Sequence, residues 1–287
     1  MDFVIGFIGA GKVGTSLGKY FETKDIKLSG YYSRSLDSSK AAADFTNSAF
    51  YTEIGELISD SNIIMITTPD DAIKKIWESL KKYNLKDKII CHTSGSLSSD
   101  IFDDIYTSGA FGYSIHPMFA FSDKFTTFKN LKSAYFSIEG SEKYLPSLKN
   151  FFKSLGNEVF ILNKDNKPLY HLASVTASNL VLSLINIACN YLEKCGVDST
   201  KSLEALLPLV NNNIQNISEK GFIDALTGPI ERGDAGTVIH HLKAIPLEHK
   251  SLYKILSLNL VNISKEKHES KSYEQIEKIL KEISYEK

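Results

Sequence analysis

Phe3-Val4-Ile5-Gly6-Phe7-Ile8-Gly9-Ala10-Gly11-Lys12-Val13-Gly14-Thr15-Ser16-Leu17-Gly18 sets an apolar run directly before Gly9-x-Gly11-x-x-Gly14 and a helix-like stretch directly after it. A strand, a glycine turn and a helix start, in that order, form the arrangement that holds a dinucleotide pyrophosphate. Gly9 permits the tight turn out of the strand. Gly11 lacks the Cβ that would keep phosphate oxygens from the backbone, and Gly14 lets the helix pack closely on the sheet. The helix then offers free N–H groups and its positive dipole end to the phosphates. Gly9, Ala10, Gly11, Lys12, Val13 and Gly14 are the expected pyrophosphate contacts.

The next apolar run, Lys27-Leu28-Ser29-Gly30-Tyr31-Tyr32, reads as a second strand. An Asp or Glu at its exit would take the ribose hydroxyls of NAD. This chain has Ser33-Arg34-Ser35 there instead. A guanidinium is a planar charged fork and the two serines are short donors, a set that suits a 2′-phosphate, so the expected cofactor is NADP.

At 287 residues with 43% apolar content, the chain can bury one large or two modest cores, and its length favours two domains. With 33 basic against 34 acidic residues it carries no overall charge footprint for nucleic acid or an anionic membrane. Cys91, Cys189 and Cys195 are odd in number, lie in apolar or helical runs and lack zinc-site spacing. They read as buried thiols in a reducing compartment, and no metal is expected. The N-terminus reads as a strand rather than a leader, and no uninterrupted apolar span approaches ~20 residues, so a soluble, cytoplasmic protein is expected.

Strand and helix signals alternate through the first half. Helices are expected over residues 38–45, 54–58 and 71–82, the last capped by an aspartate of the Thr68-Pro69-Asp70-Asp71 loop. Strands are expected at 50–51, 62–67, 88–92, 111–115, 133–138 and 158–161, with a helix between the last two. After Asn163 the pattern becomes helical: one long helix over 167–193, another over 199–220, further helices over 235–265 and 273–283, and a solvated Lys- and Glu-rich tail from Lys265. The expected fold is α/β, a doubly wound sheet over residues 1–163 followed by an all-α domain over 164–287. Between Leu180 and Ala188 the first helix of that domain is apolar nearly all round, which points to a homodimer through the helical domain.

In open α/β sheets the ligand lies beyond the carboxyl ends of the strands. Three exits therefore carry the candidates. Thr67, Thr68 and Pro69 would lie along the cofactor. Thr93 and Ser94, before Gly95, would lie beside the nicotinamide, and His116, before Pro117, would stand at the edge of the same crevice. Histidine exchanges a proton near neutral pH, which carbonyl or imine reduction needs. In the second domain His171, Ser174 and Ser178 share one helix face, with Asn179 beside them. His171 and Asn179 are candidate substrate-facing groups, Ser178 a substrate contact, and Ser174 reads as bonded back to its own helix. In Thr227-Gly228-Pro229-Ile230-Glu231-Arg232-Gly233-Asp234, Arg232 could grip a substrate carboxylate and Asp234 reads as the cap of the next helix. His240 and His241 read as structural.

Together these motifs resemble the bacterial Rossmann-like oxidoreductases that carry a C-terminal helical domain of unknown function. That group is similar in layout to pyrroline-5-carboxylate reductase, ketopantoate reductase and the hydroxyisobutyrate dehydrogenases. The resemblance implies NADP-linked hydride transfer and dimers built through the helical domain. His116-Pro117-Met118 also resembles the catalytic-histidine segment of prephenate dehydrogenases. His171, with Val175 four residues on, stands in the neighbourhood where hydroxyisobutyrate dehydrogenases place a catalytic lysine and an asparagine.

The favoured expectation is an NADP-dependent oxidoreductase acting on a small, anionic metabolite. His116 or His171 is the acid/base, Ser94 and Asn179 orient the substrate, and Arg232 binds its anionic end. The alternative is a non-catalytic NADP-binding sensor.

Overall fold

The computed structural model describes residues 3–282. The first half alternates β1 (Val4–Ile8), α1 (Lys12–Glu22), β2 (Lys27–Tyr32), α2 (Leu36–Phe45), β3 (Ala49–Tyr51), α3 (Ile54–Asp60), β4 (Ile63–Ile66), α4 (Asp70–Leu80) and β5 (Ile89–His92). Then come β6 (Phe111–Met118), β7 (Tyr135–Gly140), α5 (Leu145–Ser154) and β8 (Val159–Ile161). The strands form one eight-stranded sheet in the order β3-β2-β1-β4-β5-β6-β7-β8. β1 to β6 are parallel, and β7 turns antiparallel to β6 with β8 parallel to β7.

Period-two alternation sorts the side chains onto two faces. Ile5, Phe7, Ile63 and Met65 enter one core with Phe21, Tyr31 and Phe136. Ile8, Ile64 and Ile66 enter the other with Trp77, Leu57 and Phe102. Both faces are thus covered by helices, the doubly wound architecture expected from the sequence. Because the parallel strands share a direction, their exits share one edge. At the other edge, a cavity of about 710 Å³ meets the start of β6 at Phe111 and Gly112 and is lined by Asp100, Asp103 and Asp104.

The remaining elements are α6 (Lys167–Ala177), α7 (Asn179–Lys194), α8 (Ser199–Ala225), α9 (Pro229–Arg232), α10 (Ala235–Ala244), α11 (Lys250–Lys267) and α12 (Glu274–Lys281). The single helix expected over 167–193 is interrupted at Ser178, whose φ of −124° and ψ of −78° leave the helical region. The compact units divide at Leu182/Ser183 rather than at 163/164. The reason is that α6 is fastened to the sheet by Lys167 and Tyr170. Helix α8 is likewise broken, at Gly221 with φ +75°. The helical unit has its own core, in which Val238 and Val261 meet Tyr273, Ile276 and Leu280.

Three smaller expectations change. The tail after Lys265 is not solvated throughout, because Ile276 and Leu280 recur at helical spacing and bury one face of α12; Ile283 lies outside the described residues. Cys91 and Cys189 are buried but Cys195, just beyond α7, is exposed. No aspartate caps α4: Pro69 occupies the cap position, and Asp70 instead accepts the hydroxyls of Ser94 and Ser96.

Candidate active site

The glycine turn is locked by its neighbours. The Gly9 N–H donates to the Tyr32 carbonyl at 2.8 Å, and Thr67 Oγ1 donates to the Gly9 carbonyl at 2.9 Å. Gly9 sits at φ +110°, a conformation that disfavours any side chain. A Cβ on Gly14 would lie 2.4 Å from Thr67 Oγ1, whereas one on Gly11 would meet nothing within 4 Å. The close packing and the open approach thus fall where the sequence placed them. Gly11 caps α1 without a side-chain hydrogen bond, so the helix N-terminus presents free backbone donors.

Around this turn lies a cavity of about 540 Å³ that also takes in Ser33, Arg34, Thr67, Thr68 and Pro69. Thr68 Oγ1 is buried without a hydrogen-bond partner. An orphaned hydroxyl, an open glycine, free amides and a guanidinium in one cavity fit a dinucleotide. Lys12, Val13, Gly14, Ser35 and Thr93 do not line the cavity. Ser35 serves as the N-cap of α2, its hydroxyl accepting from the Ser38 N–H at 3.2 Å. The Thr93 N–H is spent on the Ile66 carbonyl at 3.2 Å.

One strand over, the β5 exit runs beside the β4 exit, since His92 pairs with Ile66. Ser94 does not offer a free hydroxyl. Its hydrogen goes to Asp70 Oδ2 at 2.8 Å, and its oxygen accepts from the N–H groups of Ser96 at 3.2 Å and Leu97 at 3.0 Å, which uses up its capacity. Ser94 therefore shapes the loop, and that loop brings Gly95 beneath two imidazoles. A Cβ on Gly95 would lie 2.7 Å from His171 Nδ1 and 2.9 Å from His116 Nε2. His116 and His171, read independently from a strand exit and a helix, converge on one point.

The His116 Nδ1 is held by the Tyr170 hydroxyl at 2.8 Å. Burial, reinforced by the Lys167 charge, pushes the His116 imidazole down to about 3 from its ordinary value. His171 Nδ1 is buried without a partner. Beneath them His92, fully buried, accepts the Ser94 N–H at Nδ1 and reaches the Ser98 carbonyl from Nε2. It too is pushed down, to about 4, chiefly by burial.

Sequence reading did not single out Lys167, which is only 1% exposed. Its Nζ donates to the Ser94 carbonyl at 3.0 Å and to Ser114 Oγ at 2.8 Å. Burial lowers its amine to about 8, opposed by the more distant Glu139 and Asp70 carboxylates. One local signal existed: a lysine in the first turn of an apolar helix stands where the dipole disfavours a cation, so something else must hold it there.

The polar stripe beyond His171 disperses. Ser174 and Ser178 bond back to the carbonyls one turn earlier, Tyr170 and Ser174. Asn179 is exposed and receives only the Ser178 hydroxyl at 3.2 Å. Among the described residues, neither Ser178 nor Asn179 has a hydrogen bond to either imidazole, and the break at Ser178 ends the shared helix face. Arg232 belongs to the helical unit, ends α9 and is exposed. Asp234 caps α10 as expected, accepting the Thr237 N–H at 2.9 Å. His241 bonds the Tyr253 hydroxyl at 3.0 Å within the same unit.

Residues 2–117 match the family model of a Rossmann-like domain, and residues 134–260 match that of a domain of unknown function, DUF2520. No curated protein matches the sequence. Among solved structures, a Bacteroides fragilis protein provisionally called an NADP oxidoreductase is 23% identical, with a TM-score of 0.72 over 91% of this chain and 98% of that one. A Thermotoga maritima protein is 27% identical, with a TM-score of 0.70 over 93% and 99%. The pyrroline carboxylate reductase of Plasmodium falciparum, solved with NADP bound, is 15% identical, with a TM-score of 0.63 over 93% and 97%. These likenesses establish the fold.

Proposed function

We infer that this chain, which joins a Rossmann-like domain to a DUF2520 domain, is an NADP-dependent oxidoreductase. It would act on a small metabolite at a hydroxy/keto or amine/imine carbon. The observation that carries this reading is the convergence of His116 Nε2 and His171 Nδ1 over Gly95, one strand exit from the cavity of the glycine turn. The provisionally named Bacteroides fragilis NADP oxidoreductase and the NADP-bound Plasmodium falciparum reductase, both of similar fold, support the cofactor, as do Arg34 and Ser33 at the β2 exit.

When bound, the nicotinamide supplies or accepts the hydride. Gly9, Gly11 and the α1 N-terminus would hold the pyrophosphate, and Arg34 the 2′-phosphate. In this reading the Tyr170 hydroxyl, 2.8 Å from His116 Nδ1, is taken as the donor, which aims the Nε2–H at the point above Gly95. Because burial and the Lys167 charge keep that ring neutral, His116 acts as a fixed hydrogen-bond donor to the substrate heteroatom rather than as the proton source. His171, with an unclaimed nitrogen at the same point, exchanges the proton. Lys167 positions the β5 exit through the Ser94 carbonyl and does not reach the reacting atoms.

The apolar surface of the helices supports a homodimer. Leu182 is 68% and Phe222 66% exposed in the single chain, and apolar exposure on that scale marks an interface. The stretch Lys164–Lys194 is long and apolar enough to cross a membrane. Lys167 within it is buried against Ser94 and Ser114 of the sheet, which ties the start of the stretch to the sheet unit, so a second copy is the better cover.

NADPH fluorescence titration followed by a panel of keto acids, cyclic imino acids and their uncharged counterparts tests the function. Saturable NADPH binding and oxidation by one class is expected, with acids preferred. Absence of NADPH binding would overturn the reading.

A further inference from the structure

Helix α4 and the turn after it carry four lysines, and they divide into two pairs. Lys74 and Lys81 are neutralised: Lys74 pairs with Asp103 and with Glu78 at 3.5 Å, and Lys81 pairs with both acids at 2.9 Å. Lys75 and Lys82, seven residues apart and therefore on one side, line the nucleotide cavity instead. Neither forms an ion pair among the described residues. The nearest aromatic contact is Lys82 Nζ, 5.1 Å from the centroid of the Tyr83 ring.

The cavity lining thus holds three cations, Arg34, Lys75 and Lys82, against one carboxylate, Glu53. Three cations against one carboxylate leave the cavity with an excess of positive charge that an entering anion would neutralise. The pyrophosphate needs none of them, since backbone amides and the α1 dipole serve it. The lysines share the cavity lining with Ser33 and Arg34 of the β2 exit, and Ile54, Ile76 and Tyr83 there offer apolar surface for an adenine.

We propose that Lys75 and Lys82 complete the recognition of the adenosine 2′-phosphate. Selectivity for NADP over NAD is then divided between the β2 exit and α4 rather than resting on Arg34 alone. The proposal rests on the dinucleotide reading above and adds the residues that choose between its two forms.

Calorimetric titration with 2′,5′-ADP and 5′-AMP, which differ by the phosphate in question, separates the two. For Lys75→Ala/Lys82→Ala the 2′,5′-ADP affinity should fall roughly tenfold, the scale of one charge-assisted contact at an open site, with 5′-AMP changed less than about twofold. Lys74→Ala/Lys81→Ala should leave both unchanged, and thermal melting confirms that each variant folds. An equal loss for both ligands, or no loss while wild type favours 2′,5′-ADP, overturns the lysine assignment and leaves the NADP reading standing. A wild type that binds the two equally overturns the preference itself, and one that binds neither overturns the dinucleotide reading.

Discussion

The sheet unit and the helical segments that follow it treat apolar side chains in opposite ways. In the first, Ile5, Phe7, Ile64 and Trp77 are fully enclosed by residues of the same unit. In the second, the described residues enclose a small cluster around Val238 and Val261, while α7 and α8 turn Leu184, Leu209, Ile214 and Phe222 outward. The contrast separates two jobs. One part carries every group of the candidate site and a large enclosed core; the other leaves much of its apolar surface exposed, the surface on which the proposed homodimer would form.

The comparison breaks most visibly at assembly. Wild type should scatter light as a particle of twice the 32.0 kDa chain mass. Leu209→Glu/Ile214→Glu should halve that mass while NADPH still binds, because the nucleotide cavity lies wholly within residues 1–182 and both substitutions lie outside them. A wild-type monomer, or loss of binding in a folded variant, would refute the division of labour.

A second effect lies within the site. Once a substrate is known, His171→Gln should lower turnover by ~100- to 10,000-fold with NADPH affinity unchanged. Gly95→Ala should do comparable harm through steric displacement alone, since its methyl carbon would stand inside the contact distance of both imidazoles. Retention of activity in Gly95→Ala would mean that the imidazole convergence is not used.

The smallest effect is a pH slope. Folded His116 and His92 take up protons only near 3 and 4, against an ordinary 6.5. Between those values the unfolded chain binds more protons, so stability is complete above about pH 6.5 and declines as pH falls through the window. Denaturant unfolding of His116→Gln should lose less stability between pH 7 and 5 than wild type. Identical slopes would show that His116 does not stay neutral in the fold.

Much of this was legible locally. The glycine turn, the Ser33-Arg34-Ser35 exit and the apolar runs of β4 and β5 follow from spacing and sterics within a dozen residues. What escaped depends on distance along the chain. Lys167 is held by groups 73 and 53 residues earlier, on Ser94 and Ser114. The hydroxyl of Ser94 seemed available until Asp70, 24 residues away, claimed it. The break at Ser178 left no Gly or Pro to announce it, and a uniformly apolar helix gives no periodicity to interrupt. The reversed direction of β7 is set by its pairing with β6, which alternation cannot report.

A net charge of −1 hides an uneven distribution. Around the cavity at the start of β6, Asp100 and Asp103 are matched by Lys164, Lys74 and Lys81, while at the strand exits Arg34, Lys75 and Lys82 outnumber Glu53 on the cavity lining. Such an imbalance would give the mouth at the strand exits a positive local field toward arriving anions. An anionic nucleotide would then be turned toward that mouth before any contact forms, and added salt would slow its capture more than it hastens its escape.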